Sequence, residues 1–200
     1  MSALERLEVR LAEQPQAKAK KDVFTGDGIM VAIWPPKQVA ADLAVARGEP
    51  ASKLHITLAF IGKRSELGIG TTYPALEKVV REVGARHGPL TIGLGATGKF
   101  PITENSDGKH PFYASVVSPG LLAVRRDLVA SLKAAGVSYS TDHGFKPHMT
   151  LAYLGPGQVE PKVSPDSSFV ADRFGAAIGG RRVMVPFGSS ALETKSRRSP

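Results

Sequence analysis

Two eight-residue stretches of the chain carry the same reactive pair. His55-Ile-Thr-Leu-Ala-Phe-Ile-Gly62 and His148-Met-Thr-Leu-Ala-Tyr-Leu-Gly155 agree at five of eight positions, and the other three are conservative exchanges. Along an extended strand, residues i and i+2 face the same way, about 6–7 Å apart. His55 then shares a face with Thr57, and His148 with Thr150. Ile56, Leu58 and Phe60 in the first copy, and Met149, Leu151 and Tyr153 in the second, fall on an apolar back. Two imidazoles facing each other can serve as general base and general acid, because each titrates near neutrality and the two can begin a cycle in opposite protonation states. Hydroxyls beside them can hydrogen-bond the non-bridging oxygens of a phosphate. The set suits opening or transesterifying a phosphodiester without a metal. By the same parity Ala59 and Ala152 share the histidine face and leave room for a ligand. A single His-x-Thr carries little information; two copies in matching octapeptides, among only five histidines, are specific.

Other residues are weaker candidates for substrate binding. Lys53 and Lys146 each precede a motif histidine by two residues, a symmetric pair of cations for a dianionic transition state. Trp34, the only tryptophan, closes an apolar run, and Tyr113 and Phe145 are placed to stack on a nucleobase. Phe112 alternates with Tyr113, and Tyr153 belongs to the core by parity. Gly93, Gly95 and Gly98 fit no nucleotide-loop spacing and read as a strand closely approached by a neighbour. His87 suits a helix C-terminus, and His110 and His143 fall in polar loops.

The elements that must position these residues follow from periodicity and punctuation. Ile29–Trp34 before Pro35-Pro36 predicts a buried strand, followed by a helix over 37–46. Motif strands are expected over 53–62 and 147–154, strands over 90–99 and 111–118, and a hairpin around Gly179-Gly180 leading into Arg182–Phe187. Leu76, Val79, Val80 and Val83 predict a helix over 73–87, and Ser118-Pro119 predicts a cap and first residue for a helix ending at Ala135-Gly136. Strand, helix, motif strand occurs twice, which gives an α+β fold of two similar halves with outer helices and inward-facing histidines. Ahead of it, Leu4, Leu7 and Leu11 mark a short amphipathic helix and a linker over 1–27.

Composition narrows the class. The 200 residues allow one domain with a sizeable core. There is no cysteine, so disulfides and thiolate metal sites are excluded; no metal and no cofactor is expected. The N-terminal sequence lacks the apolar core of a signal peptide and no run approaches a membrane span, so a soluble cytoplasmic protein without a membrane partner is expected, as a monomer. The net charge of +8 is unevenly spread: residues 181–200 hold five basic and one acidic residue, and residues 1–22 five basic and four acidic. Arg181, Arg182, Lys195, Arg197 and Arg198 thus read as a basic tail, either attracting phosphate backbones without specificity or serving as a solvated end that aids solubility.

The paired motifs, with Phe145-Lys-Pro-His148 leading into the second, resemble those of the 2H phosphoesterases, the superfamily that includes LigT-like 2'-5' RNA ligases and cyclic nucleotide phosphodiesterases. The resemblance covers residues 28–190 and leaves 191–200 as a tail. It implies a bilobed fold of two pseudo-symmetric antiparallel sheets about a central cleft. It also implies His55, Thr57, His148 and Thr150 as catalytic residues and a nucleotide or RNA phosphodiester as substrate. The expected reaction is hydrolysis of 2',3'-cyclic phosphates or 2'-5' linkages. Two alternatives stand beside it: hydrolysis of cyclic oligonucleotide defence signals, as in viral members, and a non-catalytic RNA- or nucleotide-binding module. The motifs do not say which histidine is the base.

Overall fold

A computed structural model describes residues 28–65, 69–103, 106–141, 144–163, 167–178 and 181–188. The expected N-terminal helix and linker, the tail over 191–200, His143, Gly179 and Gly180 lie outside them. Eight strands and three α-helices are described: β1 (Gly28–Ile33), α1 (Lys37–Leu43), β2 (Ile56–Lys63), α2 (Ile69–Arg86), β3 (Leu90–Lys99), β4 (His110–Val117), α3 (Leu121–Ala134), β5 (His148–Leu154), β6 (Ser168–Ala171), β7 (Arg173–Ile178) and β8 (Arg181–Pro186). No helix among the described residues is long and apolar enough to cross a membrane.

All paired strands are antiparallel, in the order β6-β3-β4-β5-β2-β1-β7-β8. The two expected sheets are therefore two four-stranded halves, β5-β4-β3-β6 and β2-β1-β7-β8. They are joined at the motif strands through one residue pair, Ile56 against Met149. In each half the motif strand pairs with the strand that precedes it in the chain, β1 or β4.

One face of the sheet is covered by helices. Leu76, Val79, Val80 and Val83 of α2 and Leu121, Val124, Leu128 and Leu132 of α3 enter a single core with Ile29, Val31 and Ile33 of β1 and Phe112 and Ala114 of β4. Alternation sends Met30 and Ala32 to the other face, where they pack with Ala177 and Trp34 in a small separate cluster. Across the helix pair, Arg86 forks onto both oxygens of Asp127, at 2.9 Å each, and His87 Nε2 lies 2.8 Å from the same carboxylate.

Helix α3 departs from expectation. Gly120 occupies the cap position, Ser118 makes no capping bond, and its hydroxyl is buried without a partner. Ser118 contributes its carbonyl instead, to the amide of Leu121 at 3.3 Å, and this turn delays the helix by two residues. Helix α2 starts upstream of Tyr73 with Pro74 inside it. A proline there removes only its own N–H from the ladder, so the longer helix survives around it.

A larger departure lies in the motif strands. Val31 faces Ala59 while Ala32 faces Thr57, which leaves Leu58 as an extra residue; Phe112 faces Ala152 while Tyr113 faces Thr150, which leaves Leu151 as its counterpart. Each motif thus carries a β-bulge just after its threonine, and a bulge inverts the alternation beyond it. Ala152, expected on the histidine face, turns into the main core, and Ala59, expected there too, joins that core while still bordering the cleft. Phe60 and Tyr153, expected in the apolar back, come round to the cleft and line it.

Because Ile56 and Met149 are both fully buried where the halves join, Met149→Ala should cost about 2–5 kcal/mol of stability, the range for deleting a large core side chain. Urea unfolding monitored by circular dichroism measures it. A loss below about 1 kcal/mol would mean the halves are held together elsewhere.

Candidate active site

His55 follows a short 3-10 turn (Ala51–Lys53) and immediately precedes β2, and His148 opens β5. The antiparallel crossing at Ile56–Met149 puts Thr57 on the His148 side of the bridge and Thr150 on the His55 side. The two imidazoles are anchored identically. His55 Nδ1 donates to the carbonyl of Lys53 at 2.7 Å, and His148 Nδ1 donates to the carbonyl of Lys146 at 2.7 Å. A carbonyl oxygen only accepts, so each Nδ1 carries a hydrogen and the lone pair of the neutral ring sits on Nε2. Nε2 is the atom left to take up or release a proton.

The surroundings of the rings differ. Burial holds His55 far below the ordinary 6.5, at about 4; the Lys53 carbonyl opposes the shift, while the charges of His148 and Arg182 add to it. His148 is also lowered, first by burial and then by the Lys146 ammonium, with the Lys146 carbonyl opposing. The influence of His148 on His55 agrees with their places on either side of one bridge.

Around His148, Lys146 Nζ donates to the Tyr113 hydroxyl at 2.7 Å and lies 5.2 Å and 5.0 Å from the ring centroids of Phe100 and Tyr113. Phe100 stacks on Tyr113 at 4.3 Å and meets His148 edge-on at 4.7 Å. Tyr113 is buried in this stack, and Phe112 is in the core. Glycine seats the tyrosine: a Cβ on Gly98 would lie 2.9 Å from the Tyr113 hydroxyl oxygen, and one on Gly95 2.8 Å from Ser115 Oγ.

Around His55 the corresponding aromatic is Trp34, with its ring centroid 6.4 Å from that of the imidazole. The Arg182 guanidinium stands 4.8 Å from the Trp34 centroid and donates to the carbonyl of Ser52. Arg182, assigned to a basic tail by charge counting, is part of β8 and faces the site. Lys53 and Lys146 both contribute a backbone carbonyl, so the main chain of the pair is symmetric.

Thr57, Thr150, His148, Lys146 and Phe145 line one cleft of about 460 Å³ together with Phe60, Tyr153 and Arg125. His55 and Trp34 stand outside its walls with Arg182, and Tyr113 lies under Phe100 and Lys146. His110, expected to face solvent, places Nδ1 3.0 Å from the Phe100 carbonyl. Sequence reasoning missed Phe60, Phe100, Arg125 and Arg182, and assigned Tyr153 to the core. For Phe60 and Tyr153 a signal existed: both copies of the octapeptide carry an aromatic at the sixth position. Among the described residues no three His, Asp or Glu side chains cluster as a metal would require.

An antiparallel α+β fold whose halves meet at two H-x-T strands, with both imidazoles oriented alike, defines a two-histidine phosphoesterase. The family model of the 2'-5' RNA ligase superfamily matches residues 35–168, and the chain belongs to that superfamily. Among solved structures the fold is similar to TT0787 of Thermus thermophilus, at a TM-score of 0.60 and 21% identity over 80% of this chain and 94% of that one. It is also similar to Escherichia coli LigT complexed with 3'-AMP, at 0.52 and 18% over 80% and 95%. Kluyveromyces marxianus Usb1 with uridine monophosphate aligns at 0.50 and 10% over 82% and 99%. None of the curated proteins matches the chain.

The depressed His55 makes a signed prediction. The unfolded chain binds a proton at this residue between pH 6.5 and about 4 that the folded chain refuses. Stability contributed by the neutral ring is therefore complete above 6.5 and declines as pH falls through that window. In the wild type, NMR titration should find one histidine neutral down to pH 5, and His55→Asn should flatten the fall in Tm between pH 7 and 5. A His55 that titrates near 6.5 would contradict the burial described here.

Proposed function

We propose that the chain is a metal-independent phosphodiesterase that opens 2',3'-cyclic phosphates or cleaves 2'-5' linkages in RNA or small nucleotides. The observation that carries this reading is the matched pair of Nδ1–H to carbonyl bonds, which leave two Nε2 atoms ready for opposite proton transfers. Membership of the superfamily supports it, and LigT with 3'-AMP and Usb1 with uridine monophosphate are similarly folded proteins that hold nucleotides.

In the proposed cycle one Nε2 takes a proton from water, whose oxygen attacks phosphorus in line with the leaving ribose oxygen. As the bond to that oxygen breaks, the protonated Nε2 of the other imidazole delivers a proton to it. Thr57 and Thr150 donate to the equatorial oxygens, which hold the phosphate in place and stabilise its developing charge. His55 is the more strongly depressed, so the singly protonated pair places the proton on His148. That makes His55 the base and His148 the acid for hydrolysis. Lys53, Lys146, Phe145 and Trp34, with Tyr113 as the support of Lys146, are the proposed substrate contacts.

Purified protein should be incubated with 2',3'-cyclic nucleotides, 2'-5' oligoadenylate and cyclic di- and trinucleotides, and the products identified. Turnover of the first two is expected, unchanged by EDTA. His55→Ala and His148→Ala should each lower kcat about 10²–10⁴-fold, the usual contribution of a general acid or base. Because both histidines lie below 6.5, kcat/KM should peak on the acidic side of that value and fall as pH rises through neutrality. Cleavage confined to the cyclic oligonucleotides, or full activity without either imidazole, would refute the proposal.

A further inference from the structure

One cation in the cleft has no place in the two-histidine chemistry. Arg125, on the second turn of α3, lies with its guanidinium carbon 5.0 Å from the ring centroid of Tyr139 and 5.1 Å from that of Phe145. It lines the same cavity as Thr57, His148 and Phe60. Its Nε is buried with no hydrogen-bond partner, and no carboxylate pairs with the guanidinium among the described residues. Burial depresses its pKa, with only the Tyr139 side chain acting to raise it. A half-buried guanidinium that lines a cleft, with its Nε unpartnered and no carboxylate beside it, is open to an anion that a ligand brings.

The chemistry of the anion follows from the donors. A guanidinium fork matches the paired oxygens of a phosphate, and Phe145, which lines the same cleft, offers a ring to a nucleobase. Position supplies the rest. Phe145 is three residues from His148, at most about 10 Å of chain, which keeps Arg125 within a nucleotide's reach of the histidine.

We propose that Arg125, held against Tyr139 and Phe145, forms a second phosphate subsite beside the reacting phosphodiester, so that an oligonucleotide or a nucleotide bearing a further phosphate binds more tightly than a lone cyclic mononucleotide. The inference rests on the phosphodiesterase reading of the same cleft, and a binding experiment separates the two. Adenosine 3'-monophosphate and adenosine 3',5'-bisphosphate are titrated calorimetrically into wild type, Arg125→Ala and Arg125→Lys at fixed ionic strength, with thermal melts confirming that each variant is folded. The bisphosphate should bind the wild type roughly tenfold to hundredfold more tightly, as charge-assisted bonds to one added phosphate provide. That ratio should fall to near one in Arg125→Ala and to an intermediate value in Arg125→Lys, which keeps the charge and loses the fork. Should Arg125→Ala not fold, the fall in Arg125→Lys carries the test.

Equal affinity of the two nucleotides for wild type, or a ratio unchanged by both substitutions, overturns the subsite. Turnover is scored separately. An intact ratio without turnover of any phosphodiester sinks the hydrolase and leaves the subsite standing; turnover with a ratio of one does the reverse.

Discussion

The site depends on how two strands cross. Among the described residues, Ile56 and Met149 face the core as the only residue pair joining β2 to β5, and their burial sends the residues on either side of them to the opposite face. That single constraint brings two histidines and two threonines together from positions 93 residues apart. Burial of apolar surface thus aims the polar groups, since turning either motif over would expose the junction and bury imidazole and hydroxyl without partners.

The anchoring of each imidazole is also a backbone matter. Each Nδ1 uses the carbonyl two residues upstream, which requires the chain to bend back just before the histidine. A 3-10 turn at Ala51–Lys53 does this for His55, and the irregular approach through Pro147 does it for His148. Two unlike local structures reach the same bond. The pseudo-symmetry then breaks around the rings, with Trp34 and Arg182 on one side and Phe100, Tyr113 and Lys146 on the other. Two like imidazoles in unlike surroundings is the condition under which one can hold a proton that the other refuses.

Much of this was legible in the residues. The octapeptide repeat identified both motif strands and their shared face, and apolar spacing located the helix ends to within four residues. Strict alternation failed where it assumes regular pairing: the bulges at Leu58 and Leu151 depend on partners in β1 and β4 that no local pattern reveals. Charge counting by segment failed at Arg182 for a related reason, because a strand at the far end of the chain returns to pair beside β1's neighbour. Arg125 looked like one more basic residue on an amphipathic helix, and only the approach of Tyr139 and Phe145 distinguishes it.

The central claim is that both imidazoles address the same phosphorus. Its most direct test is a one-to-one titration of the wild-type protein with adenosine 3'-monophosphate, following the ring-nitrogen NMR resonances of His55 and His148. Both should move together, along a single binding curve, and both should titrate at higher pH in the complex than in the free protein. A response of one histidine alone, or of the two along separate curves, would show that they do not share a phosphate.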